Sequence, residues 1–264
     1  MNSLRFELCA ETLQAARAAQ AGGADQVELC VGLACGGITP PADLITAALQ
    51  AVSIPVSILI RPRYGDFVFS ISEFALMRTQ IAAAARAGAA AVALGVLLPD
   101  RRVDVVRTRE LIEGARPMKV TFHRAFDETP DLFAALDDVM AAGADYLLTS
   151  GGRPDVLAGA AIIGRLRELA GSRLRVMAGG GLRLGNLAEV VRRSGVTMLH
   201  GSLTRSHGAP HTTGNSAGSD VSSNGQLLEA DVREAVHIFH EAFQARGSAA
   251  LSVGIHEPIS EAMD

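Results

Sequence analysis

The sequence predicts an α/β fold of one domain, a (β/α)8 or TIM barrel, from three observations. Short β-rich runs alternate strictly with amphipathic helical stretches, and eight such units can be counted. The helix-to-strand junctions Gly23-Ala24-Asp25, Gly88-Ala89-Ala90 and Gly143-Ala144-Asp145 are near copies. Each reads as a glycine C-cap feeding a turn at the bottom of a barrel. The rival, a doubly wound open sheet, would usually carry a GxGxxG turn after its first strand, and Cys9-Ala10-Glu11 stands there instead.

The units follow in order. Residues 4–9 form the first strand and 12–21 its helix, which ends at Gly22-Gly23. The second strand is 26–30, followed by a loop over 31–39 and a helix over 41–51. The third strand, 56–60, leads through a polar loop (61–69) to a helix over 72–87, with Ser72 as its expected cap, Glu73 in its first turn and Gly88 as its stop. The fourth strand is 91–95 with a helix over 103–115. The fifth is 118–122, followed by a helix over 130–142 that starts at Pro130 and stops at Gly143. Strands at 145–149, 174–177 and 197–200 complete the eight, with helices at 156–170, 184–194 and 229–246.

Residues 1–247 are therefore expected to be the barrel domain. Residues 206–225, rich in Ser, Gly, Thr and Asn and bearing His207 and His211, read as a flexible insertion before the last helix. Residues 248–264 read as a C-terminal tail.

Composition narrows the function. The chain has 264 residues, 48% hydrophobic and 20% charged, with no Trp and 4% aromatics, so its core must be aliphatic. A net charge of −4 with scattered basic residues leaves no footprint for nucleic acid. Residues 1–9 carry Arg5 and Glu7 where a secretory signal would be apolar. The most apolar stretch, 81–98, is broken by Arg86 and two glycines, which argues against a membrane span. Three cysteines, Cys9, Cys30 and Cys35, fit a cytoplasmic protein with free thiols.

Parallel barrels keep their chemistry at the C-terminal mouth of the strands. The fifth strand ends in His123, with Arg124 and Asp127 close behind. His123 can act as a general acid/base, its tautomer set by Asp127 or Glu28. A hydrogen-bonded polar plug is the structural alternative. The first two strands repeat Glu-Leu-Cys at 7–9 and 28–30, so Cys9 and Cys30 can share a soft ion if they stand at matching heights. As small buried hydrophobes they would need no ion.

Arg61 and Arg63 flank Pro62 on the third loop, placed for a carboxylate or phosphate, or for an ion pair with Asp66 or Glu28. Gly179, Gly180 and Gly181 follow the seventh strand, and His200, Gly201 and Ser202 end the eighth. That pair of loops frequently binds phosphate through backbone N–H groups, and Ser150 after the sixth strand extends the polar floor.

These stretches together resemble the CutC copper-homeostasis family. The resemblance is carried by Glu7-Leu8-Cys9, residues 22–30, Gly36-Gly37-Ile38-Thr39-Pro40, residues 60–67, 120–127, 148–151, 179–181 and Leu199-His200, in order from about 4 to 205. It implies the barrel fold, a cytoplasmic location, self-association into a homo-oligomer and Cu(I) held by Cys9 and Cys30. Two positions depart from the family pattern. Gly201 replaces a frequent cysteine, removing one possible thiolate, and Ala178 replaces a usual proline. The competing expectation is a barrel enzyme. In it His123, Glu28 and Asp127 do acid/base chemistry on a small anionic or phosphorylated metabolite held by Arg61, Arg63, Arg124 and the glycine loops.

Overall fold

The computed structural model of the chain describes residues 4–203 and 229–253, with side chains placed to residue 246. Eight parallel strands close into one barrel in chain order. They are β1 (Arg5–Ala10), β2 (Gln26–Leu29), β3 (Val56–Leu59), β4 (Ala91–Leu94), β5 (Lys119–Phe122), β6 (Tyr146–Thr149), β7 (Arg175–Gly179) and β8 (Met198–Gly201). The helices between and after them are α1 (Leu13–Ala21), α2 (Ala42–Ala51), α3 (Ile71–Ala87), α4 (Val105–Ala115), α5 (Leu132–Ala142), α6 (Ala160–Ala170), α7 (Leu184–Ser194) and α8 (Glu229–Val253). The expected fold class is what the chain adopts.

Alternation along each strand divides the buried residues into two sets. Outward residues such as Phe6, Leu8, Val27, Leu29, Ile58 and Ile60 pack beneath the helices in the main aliphatic core. Each is worth roughly 1.5–3 kcal/mol relative to exposure. Inward residues form two small separate clusters, Cys9, Cys30, Leu59 and Ala93 near the mouth and Tyr146, Leu148, Met177 and Met198 beneath β6 to β8.

Inward side chains of such a barrel stack in layers of four from alternate strands. The pairing register places Cys9, Leu59, His123 and Gly179 in one layer. Above it come Cys30, Gly95, Ser150 and Ser202, and below it Glu28, Ala93, Leu148 and His200. Glu7, Ser57, Thr121 and Met177 lie deeper still.

The glycine junctions behave as expected: Gly88 and Gly143 cap α3 and α5 at φ +93°. At the first junction Gly23, rather than the cap Gly22, takes the positive φ.

Several ends differ from the sequence reading, each for a local reason. The N-cap of α3 is Ser70, not Ser72, because Ser70 and Glu73 satisfy each other's backbone N–H in a capping box. Asp104 and Asp131 cap α4 and α5 through side-chain oxygens, so these helices start at 105 and 132 rather than 103 and 130. α6 starts at 160 rather than 156. Asp155 ties the N–H groups of Leu157 and Ala158 into a turn, and Gly159 packs directly on the Ser150 carbonyl.

α8 continues to Val253, past the end expected at 246 and into the segment read as a tail. The insertion expected at 206–225, with His207 and His211, lies outside the described residues, as does the rest of the tail.

Candidate functional site

The two cysteines meet. Cys9 Sγ lies 3.1 Å from Cys30 Sγ, and both residues are buried. The matching heights expected from the repeated tripeptide are not what brings them together: Cys9 pairs in register with Glu28, and Cys30 stands one layer higher. Barrel stagger, not equal height, makes the contact. The hydrogen bond to Cys30 raises the Cys9 thiol well above its usual pKa, with burial adding. Cys35 is exposed on a 3-10 turn over Leu33–Cys35 that covers the mouth beside Gly37.

Beneath the cysteines lies a buried polar group with two carboxylates and one imidazole. His200 Nδ1 is 2.8 Å from Glu7 Oε1, and His200 Nε2 is 3.7 Å from Glu28 Oε2. Gln26 donates its amide to the second Glu7 oxygen. Burial pushes the Glu28 carboxyl up to about 7, the charge of Glu7 adding and that of His200 opposing. Burial alone would lower His200, but the charge of Glu28 and the bond to Glu7 outweigh it and raise it. Ligand atoms of Cys9, Glu28 and His200 lie within 4.8 Å of one another. Two thiols with an adjoining imidazole and carboxylate form a donor set that fits a thiophilic ion such as Cu(I).

The arginines of the third loop take structural roles. The Arg61 guanidinium is buried and donates to the carbonyls of Cys35, Gly37 and Gly65, while stacking over Phe67 at 4.6 Å. It clamps the loops after β2 and β3 together. Arg63 is tied outside the barrel to Asp66 and Glu73. Neither pairs with Glu28, and the expected arginine anion clamp is therefore reduced to the Nε–H of Arg61.

His123 is fully buried, and its Nδ1 accepts the N–H of Ala125 at 3.3 Å. Neither Asp127 nor Glu28 orients it, contrary to the sequence reading. Asp127 is committed elsewhere: it accepts from Thr149 Oγ1, from the N–H groups of Ser150 and Gly152, and from Arg124 Nε. Those bonds hold the β6 loop closed and engage both Asp127 oxygens. Burial, with the charge of Arg61 adding, holds His123 down to about 3. At neutral pH this keeps the ring uncharged.

Arg124 completes the rim. Its Nη2 lies 3.2 Å from Ser150 Oγ, and its guanidinium lies flat against Gly180, where a Cβ would come within 2.9 Å of Cζ. Gly180 and Gly181 take φ of +100° and +71°, open to glycine and strained for other residues. Gly179 is glycine for packing, since a Cβ would meet Leu148 and His200.

Sequence reasoning set Glu7 on the same face as Cys9 but gave it no partner, and missed Gln26, Ser57, Thr121 and Gly95 as inward neighbours of these groups. The period-two alternation that placed Cys9 inward places Glu7 there too, and that signal was present. The partnership of Glu7 with His200 joins the first strand to the last and left no local trace.

The comparisons agree with this architecture. The model of the CutC family matches residues 4–205. A family protein CutC of Chromobacterium violaceum is 46% identical over 197 residues, 75% of this chain and 80% of the relative. A human protein named copper homeostasis protein cutC homolog is 40% identical over 199 residues, 75% of this chain and 73% of the relative. A crystal structure of the copper homeostasis protein CutC from Streptococcus agalactiae superposes with a TM-score of 0.72 at 31% identity, covering 76% of this chain and all of that one. Among the described residues no helix is long and apolar enough to cross a membrane.

Proposed function

The chain belongs to the CutC family, and from that membership and its own donor set we propose that it is a cytoplasmic copper-homeostasis protein that takes up Cu(I) through Cys9 and Cys30. The observation that carries this reading is the 3.1 Å approach of the two sulfur atoms on neighbouring strands. Soft thiolate sulfur selects Cu(I) over the harder divalent ions. The raised Cys9 pKa makes uptake proton-releasing, because the thiol must ionise to ligate. His200 and Glu28, beneath Cys9, would supply a third donor or receive the released proton.

Competition of the reduced protein against a chromophoric Cu(I) chelator tests this. One tightly held Cu(I) per chain is expected, and a Cys9→Ser/Cys30→Ser chain should lose it. A double variant that competes as well as the wild type would overturn the reading.

A second reading is favoured by a different observation. Arg124 lies against Gly180 at the β7 loop, beside Ser150, in the quarter of the barrel where phosphate commonly binds. A small anionic or phosphorylated compound would be held there, as an enzyme substrate. Saturable binding of methyl phosphate, abolished by Arg124→Gln, would support it; its absence would remove it.

A further inference from the structure

Four buried polar side-chain atoms on or just beyond β3 and β5 have no hydrogen-bond partner: Ser57 Oγ, Arg61 Nε, Thr121 Oγ1 and His123 Nε2. Their strands flank β4, whose inward positions are the small residues Ala91, Ala93 and Gly95. Each unmet buried group costs on the order of 1–3 kcal/mol. Ser57 and Thr121 lie two layers below His123, so the two donors within reach of the mouth are His123 Nε2 and Arg61 Nε.

His123 is the most informative of the four. Its Nδ1 accepts the Ala125 N–H, so the neutral ring carries its proton on Nε2, a buried atom with no partner. The ring cannot easily turn away. Phe67 packs against it with the rings tilted by 59° and centroids 4.9 Å apart, and Gly95 lies so close that a Cβ there would come within 2.7 Å of Nδ1. The result is a rigid, uncharged N–H donor with nothing to donate to. It stands in the same layer as Gly179, one layer below Ser150, which Arg124 touches from above.

We propose that the barrel mouth binds a small phosphorylated carboxylate, its phosphate against Arg124 and the turn at 179–181 and its carboxylate oxygen accepting the Nε2–H of His123. This rests on the second reading above and assigns His123 as a ligand-binding donor for the inner end of the molecule. Arg61 Nε, on the far side of Gly95, is a second donor for the same carboxylate.

The test compares 2-phosphoglycolate with methyl phosphate, which has the phosphate and no carboxylate. For the wild type, phosphoglycolate should bind roughly tenfold or more tighter than methyl phosphate, the gain from a hydrogen bond to a charged acceptor. His123→Phe, which keeps a ring and loses the donor, should abolish that advantage and bring the two probes to similar affinity. His123→Gln, which restores an N–H, should recover part of it. In wild-type protein the His123 Nε2 nitrogen resonance should shift with phosphoglycolate and not with methyl phosphate, a readout that needs no variant to fold. Equal affinity for both probes, with Arg124→Gln abolishing both, would overturn the role of His123 and leave the anion site standing. If neither probe binds, the anion site itself falls and this inference with it.

Discussion

His200 Nδ1 stands 2.8 Å from Glu7 Oε1, so the last strand of the barrel is joined to the first by a buried acid–imidazole contact. The same ring faces Glu28 through Nε2 at 3.7 Å. Removing the imidazole leaves two carboxylates buried together. His200→Ala should therefore destabilise the fold by about 3–5 kcal/mol in urea unfolding. Because Glu28 and Glu7 hold the His200 pKa above its ordinary value of 6.5, its stabilisation is whole below that pH and fades as pH rises, so the loss should be larger at pH 5 than at pH 8. A cost independent of pH would contradict this arrangement.

Copper uptake should discriminate among the three thiols. Cys9 and Cys30 touch each other inside the mouth, whereas Cys35 is exposed on the covering turn. Cys35→Ser should bind Cu(I) as the wild type does, and Cys9→Ser should lose at least tenfold in chelator competition, one soft ligand being worth more than about 1.4 kcal/mol. Equal losses for the two variants would move the site toward the surface.

His123 should give the protein an acid sensitivity of known sign. Its folded pKa, about 3, lies below its ordinary value of 6.5, so the unfolded chain takes up the proton first. The contribution of the neutral ring is whole above pH 6.5 and is lost as pH falls toward 3, by at most about 1.4 kcal/mol per pH unit. The unfolding free energy of the wild type should therefore fall relative to that of His123→Gln across that window. Parallel curves for the two proteins would show that His123 titrates normally.

Gly95 should be intolerant of even one methyl group. An added Cβ would stand 2.7 Å from His123 Nδ1 and 3.0 Å from Ala125 Cβ. Gly95→Ala should cost about 1–3 kcal/mol through overpacking. It should also speed hydrogen exchange at the Ala125 amide, whose bond to His123 it displaces. An unchanged Ala125 amide would mean the ring has room to move.

Much of the fold was legible because it repeats. Alternating β-rich and helical stretches, with copied glycine junctions, specify eight units through local propensity and capping alone. The misplaced helix starts at 72, 103, 130 and 156 arose where a neighbouring Ser70, Asp104 or Asp131 takes the cap, or where loop packing delays the first turn. The site was less legible. Arg61 and Asp127 look like ligand-binding groups in one dimension. In three dimensions Asp127 is taken up by the β6 loop and the two Nη groups of Arg61 by loop carbonyls, which leaves only the Arg61 Nε–H unpaired.

The sequence by itself determined the barrel, its strand count and the presence of Cys9, Glu28, His123 and His200 near one end. These follow from short-range physics: period-two alternation, helix amphipathicity and glycine stops. Tertiary closure decided which of those residues meet. The stagger of a closed barrel offsets neighbouring strands, so Cys9 reaches Cys30 across unequal heights and Glu7 finds His200, 193 positions away. Closure also decided which polar atoms are left unpaired, the Nε2 of His123 among them.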